Sequence, residues 1–260
     1  MTRTLLVAVL LLCACAHHRG GALDPAAALT EARATTLPFA LRASFAVKLH
    51  VNDAILSTRG GLVLHAPDRF RLEVLGPIGT PALVIVSDGR ALQVWNAADN
   101  VYYEAKDAAS SLQALTGGAV SLSDVVRLLS AAMPLTEAPV RASTVGEDGP
   151  VITLEAGPQA LVTATLDDRH ALLRDLVVSQ GGQTYAHLSY GKAQKVGRTW
   201  LPRSANVEIP ALGVAAELEF QTWDELGQVP EVFSLPPPAG AEVKDLTEAL
   251  VKARDARLPP

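Results

Sequence analysis

The residues in this chain able to do covalent or acid–base chemistry are few and scattered. Its two cysteines, Cys13 and Cys15, both fall near the N-terminus. The body therefore has no thiol nucleophile, no disulfide and no cysteine-held metal. Of six histidines, His17 and His18 adjoin Gly20-Gly21 with no third ligand nearby and read as a solvated tether. His50, His65, His170 and His187 are spread over strand-like segments and a turn. Asp168 and His170 share one turn, but that spacing alone makes no catalytic pair. No G-x-S-x-G elbow, P-loop, H-E-x-x-H or helix-opening G-x-G-x-x-G occurs. This reading expects no enzyme, no catalytic residue, no metal and no cofactor.

Composition narrows the classes further. The chain has 260 residues, 49% hydrophobic and 19% charged, which suffices for a substantial core and excludes a disordered chain. A net charge of −5 argues against a basic nucleic-acid-binding surface, so no nucleic acid is expected. Three Trp, four Tyr and five Phe are too few for a stacking platform.

The N-terminus reads as an address. Arg3 precedes an unbroken apolar run of 12 residues, Leu5 to Ala16, shorter than the roughly 20 that cross a bilayer as a helix. A charged start, a short apolar stretch and small residues make a secretory signal. Leu12-Cys13-Ala14-Cys15 resembles the bacterial lipobox, with Cys15 as the residue that becomes lipidated. Cys13 fits less well, because Leu12 would occupy the small-residue position before it. An ordinary signal peptide with incidental cysteines is the plainer alternative. More than one acyl chain, at ~0.8 kcal/mol per buried CH₂, gives stable anchoring. The lipoprotein sorting rule implied by this resemblance, with Ala16 rather than Asp after the cysteine, points to the outer membrane.

The elements that must position any site come next. Asp24-Pro25 opens a helix to about Thr35, with Asp24 as N-cap and Pro25 at the first helical position. From Leu41 the period becomes two, with Phe45, Val47, Leu49 and Val51 on one face. Further strands are read over Leu56–His65, with Gly60-Gly61 as a bulge or bend, and Arg69–Leu75. Ala82–Ser87, Ala91–Trp95 and Val101–Glu104 follow. Asp107–Leu115 is a weak helix. Ser123–Ala132 is a better one, capped by Ser123 and stopped at Met133-Pro134. Strands resume at Val151–Glu155, Ala160–Leu166, Leu172–Val178, Thr184–Tyr190, Trp200–Ile209 and Val214–Trp223. Together they make about eleven antiparallel strands with one wet face. Pro236-Pro237-Pro238 is extended, and Asp245 to Glu248 resembles a capping box opening a helix to about Arg257. The organisation expected is a signal peptide (1–14), a lipidated tether (15–23), one domain (24–229) and a Pro-rich segment with a C-terminal helix (230–260).

Three places carry a family resemblance. Leu75-Gly76-Pro77-Ile78-Gly79-Thr80 looks like a loop between two early strands. Ser121 through Leu129, with Met133-Pro134-Leu135, looks like a central helix ending in Pro. Trp200-Leu201-Pro202, Val207-Glu208-Ile209 and Leu218–Trp223 look like a closing strand pair. In this order, and behind a lipobox, they resemble the LolA/LolB-like outer-membrane lipoprotein-sorting proteins, and the lipidated receptor more than its soluble partner. The family helix ends Gly-Leu-Pro where this chain has Ala132-Met133-Pro134. The segment after Pro230 extends beyond the receptor, as in longer lipoprotein relatives of this fold.

The resemblance implies an α+β, mostly antiparallel fold: a strongly curved incomplete β-barrel covered by helices. Between sheet and helices it implies a cavity for acyl chains. Phe45, Val47, Leu49, Phe70, Leu72, Val74, Leu218 and Phe220 would line it, with Val126 and Leu129 from the helix. The bland alternative is that these side chains fill a solid core. Leu75, Gly76, Pro77, Ile78 and Gly79 would form the loop that enters the membrane, Ile78 foremost, unless Ile78 folds back under the sheet. The implied function is an anchored, periplasm-facing acceptor that takes acylated lipoprotein or lipid cargo from a soluble LolA-like carrier. A scaffolding lipoprotein that docks through its tail, or a lipid-responsive sensor, would use the same fold without transfer.

Overall fold

The computed structural model describes residues 23–51, 54–116, 120–157, 159–210 and 213–255. Cys15, the expected signal peptide and nearly all of the expected tether lie outside them. Helix α1 (Pro25–Ala34) begins where Asp24 accepts a 3.1 Å hydrogen bond from the Ala27 amide and Pro25 fills the first turn. An antiparallel run follows: β1 (Ala40–Val51), β2 (Ala54–His65), β3 (Arg69–Leu75), β4 (Pro81–Asp88), β5 (Leu92–Asn96) and β6 (Val101–Ala105). Two helices, α2 (Ala108–Thr116) and α3 (Leu122–Leu129), separate it from a second run. That run comprises β7 (Val140–Gly146), β8 (Gly149–Glu155), β9 (Ala160–Leu166), β10 (Leu173–Gln180) and β11 (Gln183–Tyr190). A hairpin, β12 (Ala193–Val196) with β13 (Thr199–Pro202), precedes β14 (Ser204–Ile209) and the long β15 (Val214–Glu225). The chain ends in β16 (Glu242–Asp245) and α4 (Leu246–Asp255).

Fourteen strands form one sheet in the order β16-β6-β5-β4-β3-β2-β1-β15-β14-β11-β10-β9-β8-β7, while β12 and β13 pair separately. The strongly curved, incomplete antiparallel barrel of about eleven strands expected from the sequence is not what forms. The sheet is open, with β16 and β7 at opposite edges, and it is mixed, because β16 runs parallel to β6. The reason lies in strands that carry no alternating signal. Every residue of β16 is exposed, β7 has no buried residue, and β12 belongs to the small hairpin sheet. Such strands are held by backbone pairing rather than by an apolar face.

One face of the sheet carries the main core. Phe45 and Val47 of β1, Leu62 and Leu64 of β2, and Phe70 and Val74 of β3 are buried there with Val126 of α3 and Phe220 of β15. The Gly60-Gly61 pair makes no bulge: β2 keeps a continuous register with both neighbours. Gly60 instead seats the Phe45 ring, and any side chain there would overlap that ring and the Glu73 carbonyl. The irregularity falls at Ser44/Phe45, in the pairing of β1 with β15.

The opposite face is covered in part by the segment after β15. Arg71 donates to the Val232 carbonyl, the Leu235 amide to Gln93, and the Tyr102 hydroxyl to the Leu235 carbonyl. Leu235 joins Val84, Val86 and Tyr102 in a second apolar cluster. The chain then rounds the sheet edge as β16, and Thr247 at the start of α4 meets Ser111 of α2 at 2.6 Å between hydroxyls. This tail is a strap folded onto its own sheet.

Candidate functional site

The site is built where the second strand run passes beneath α2 and α3. Helix α3 starts at Ser121, two residues before the N-cap read from the sequence. The Ser121 hydroxyl accepts from the Asp124 amide and Asp124 accepts from the Ser121 amide, a complete capping box. Asp124 also accepts the Leu135 amide at 2.6 Å, which fixes the chain leaving the helix. The helix stops at Leu129, ahead of Met133-Pro134, because Ala131 turns into the left-handed region at φ 57°. Arg127 ties this corner to α1, donating to the carbonyls of Met133, Thr35 and Ala32. Desolvation lowers the Arg127 pKa, opposed by the charge of Asp124.

With α3 held in this rotation, Val125 and Leu128 face an apolar cavity of about 180 Å³. Leu112 of α2 and the connecting residues Val120, Pro134 and Leu135 complete its helical side. The sheet contributes Val162 of β9, Leu176 and Val178 of β10, Tyr185, Ala186 and Leu188 of β11, and Ile209 of β14. Tyr185 alone among them brings a polar side-chain atom. In volume this cavity is comparable to the ~150 Å³ engineered cavity that admits small apolar molecules.

The residues read from the sequence occupy a neighbouring region. Phe45, Val47, Phe70, Val74, Val126 and Phe220 are buried in the main core, and Leu49, Leu72, Leu129 and Leu218 are half-buried against it. None of the ten is among the lining side chains of the cavity. The sequence signal for the actual lining was the alternation in β9 to β11 (Val162; Leu176 and Val178; Ala186 and Leu188) together with the adjacent helical stripe. The expected loop does project. Between β3 and β4 the Gly76 amide donates to the Thr80 carbonyl and the Gly79 amide to the Gly76 carbonyl. Leu75 and Gly76 are half-buried, Pro77 and Gly79 are exposed, and Ile78 is 86% exposed. Strand register places this loop at the same end of the sheet as Ile55 and Leu56 of the β1–β2 hairpin, which are 63% and 39% exposed.

The scattered histidines have separate surroundings. His187 meets Asp175 at 2.7 Å, and His50 lies 3.3 Å from Glu217. His170 stacks on Trp200, while Asp167 rather than Asp168 accepts its backbone amide. Among the described residues no group of three or more His, Cys, Asp or Glu could hold a metal ion, and no helix is long and apolar enough to cross a membrane.

The architecture defines a class: a broad, largely antiparallel sheet with helices over one face and an apolar pocket beneath them. Solved structures of similar fold include a LolA superfamily protein from Nitrosomonas europaea, which superposes with a TM-score of 0.54 at 13% identity, covering 82% of this chain and 99% of that one. An outer membrane lipoprotein-sorting protein domain from Vibrio parahaemolyticus gives 0.54 at 11% identity over 80% and 96%. A DUF1329 family protein from Desulfovibrio piger gives 0.53 at 10% over 82% and 98%. No family model matches the chain, and no curated protein matches it in sequence.

Proposed function

We propose that the protein is an outer-membrane-anchored lipoprotein, lipidated at Cys15, that binds acyl chains in its apolar cavity. In this reading it accepts lipoproteins or lipids from a soluble carrier and inserts them at the outer membrane. The observation that supports it most directly is the hydrocarbon-walled cavity under α2 and α3. Moving an acyl chain between two apolar environments leaves most of its hydrophobic free energy unchanged, so such transfer needs no cofactor or covalent step. A chain longer than the cavity enters by displacing α2 and α3 from the sheet. Ile78, with Leu75 and Pro77 beside it, enters the bilayer during release. The core residues around Phe45 and Phe70 become accessible lining only when the helices lift.

The test is saturable binding of a fluorescent fatty acid, with delivery of an acylated cargo to outer-membrane vesicles read in parallel. Ile78→Glu should keep fatty-acid binding and lose delivery. Absence of binding overturns the carrier reading, and intact delivery by Ile78→Glu removes the loop from it.

A further inference from the structure

A second concavity, of about 660 Å³, lies at the other end of the strands from Ile78 and shares no residue with the apolar cavity. This is within the range of ligand sites, roughly 300–1,000 Å³. Its floor is Leu172, Leu173, Pro202 and the Trp200 indole, on which His170 lies flat with ring centroids 4.3 Å apart. Its rim carries Arg169, Arg174 and Lys192, all exposed. None of these three cations makes a side-chain hydrogen bond or ion pair among the described residues. The sequence around the rim is biased in the same direction. From Tyr190 to Arg203 it holds Lys192, Lys195, Arg198 and Arg203 and no acidic residue, within a chain of net charge −5.

Two acidic residues, Asp167 and Asp168, line the groove, and the Glu225 carboxylate lies against Gly197 in the neighbouring turn. Asp167 is engaged inside its own turn, accepting the amides of His170 at 2.7 Å and Leu172 at 3.2 Å. Asp168 makes no side-chain hydrogen bond or ion pair among the described residues. The scaffold is firmly tied: the Leu173 amide donates to Ala131, the Gly191 amide to Ser204 and the Arg203 amide to Lys192.

We infer that this groove docks an acidic, partly apolar peptide segment of a partner protein. Arg and Trp beside an apolar floor are the residue types that dominate protein-binding hot spots, and Arg clusters recognise acidic motifs. A free phosphate would leave the half-buried Trp200 indole uncovered. It would also find no cradle of amides, since the turn amides of His170 and Leu172 already serve Asp167. A membrane surface fits poorly because Leu172 and Leu173 lie in the floor, 9% and 2% exposed, and cannot project into a bilayer.

The inference is independent of acyl binding and is tested on the full chain in nonionic detergent. The probe is a fluorescein-labelled peptide of alternating Glu and Leu, read by anisotropy, with its Gln–Leu counterpart as control. The acidic peptide should bind saturably and weaken with salt. It should lose at least about tenfold in affinity when Arg169, Arg174 and Lys192 are all changed to Glu. These positions are exposed, so folding should survive, and circular dichroism checks that it does. Ile78→Glu should bind the peptide normally. No binding, equal binding of the Gln–Leu peptide, or indifference to the charge reversals overturns the proposal. Displacement by inorganic phosphate reassigns the groove to a small anion, and displacement by phosphatidylglycerol vesicles reassigns it to a membrane; either result overturns the peptide assignment.

Discussion

The Tyr190 hydroxyl donates a 2.7 Å hydrogen bond to the Leu128 carbonyl, pinning β11 to the end of α3. The pair links the two concavities: Leu128 lines the apolar cavity and Tyr190 the basic groove. Burial raises the phenol pKa, so the group is a donor throughout the ordinary pH range. Tyr190→Phe leaves the carbonyl without this donor and should lower stability by about 1–3 kcal/mol. Urea denaturation measures this, and an unchanged midpoint would remove the bond from any account of α3.

Gly60 and Gly61 provide a matched pair. A methyl group at Gly60 overlaps the Phe45 ring and the Glu73 carbonyl, whereas at Gly61 the nearest atom is 3.9 Å away. Gly60→Ala should cost about 1–3 kcal/mol through displacement of a core ring. Gly61→Ala should be close to neutral. Thermal melts of the two variants side by side distinguish packing from a general effect of adding a side chain to β2.

Arg127 holds three carbonyls at the corner of α1, α3 and the Met133 turn. Arg127→Met keeps most of the aliphatic stem and removes the donors, which should destabilise the protein by about 2–4 kcal/mol. Lysine should restore only part, because one ammonium cannot reproduce the planar fork. Chemical denaturation of both variants reads the difference.

His65 sits between Phe39 and Phe233, with ring centroids at 4.6 and 5.9 Å. Its pKa is lowered, chiefly by desolvation and then by Arg69, with Asp68 acting against them. A folded pKa below the unfolded value of about 6.5 means that the unfolded chain binds the proton more readily. The contribution is therefore complete above about pH 6.5 and is lost as pH falls through the lowered folded value. His65→Gln should flatten this part of the stability–pH curve, measured by urea midpoints between neutral and mildly acidic pH.

Ala186 faces the apolar cavity from β11. Ala186→Leu adds volume into that space and should weaken fatty-acid binding by roughly tenfold while leaving stability unchanged or slightly raised. A fluorescence titration measures the first effect and a thermal melt the second.

Much of the first half was legible because several of its strands carry apolar side chains on the core face and mostly polar ones on the other. The alternation of Phe45, Val47 and Leu49, or of Phe70, Leu72 and Val74, is the direct imprint of that asymmetry. Where both faces are covered the alternation disappears: Ala82 to Val86 is continuously apolar, and Val84 and Val86 lie under the strap. That run was the available sign of a second cover, yet nothing in it names Leu235 as the covering residue. β16 left no trace, since Glu242–Asp245 is exposed throughout and joins through its backbone. The side chains lining the apolar cavity were harder to single out, for a finer reason. Val125 and Val126 are adjacent, and only the capping box at Ser121 decides which faces the space and which enters the core. The exposure of Ile78 was easier to read, because a turn tip between glycines offers no core to enter.

The strap also sets an order of events. Ribosomes make the chain from its N-terminus, yet the Tyr102 hydroxyl finds its acceptor at Leu235, 133 residues later. Until those last residues emerge, β6 is an unsealed sheet edge and Val84 and Val86 are bare to solvent. A nascent or prematurely terminated chain thus presents an adhesive strand that the finished molecule conceals. Truncation before Glu242 should therefore show itself first as self-association, and only secondarily as a lower melting temperature.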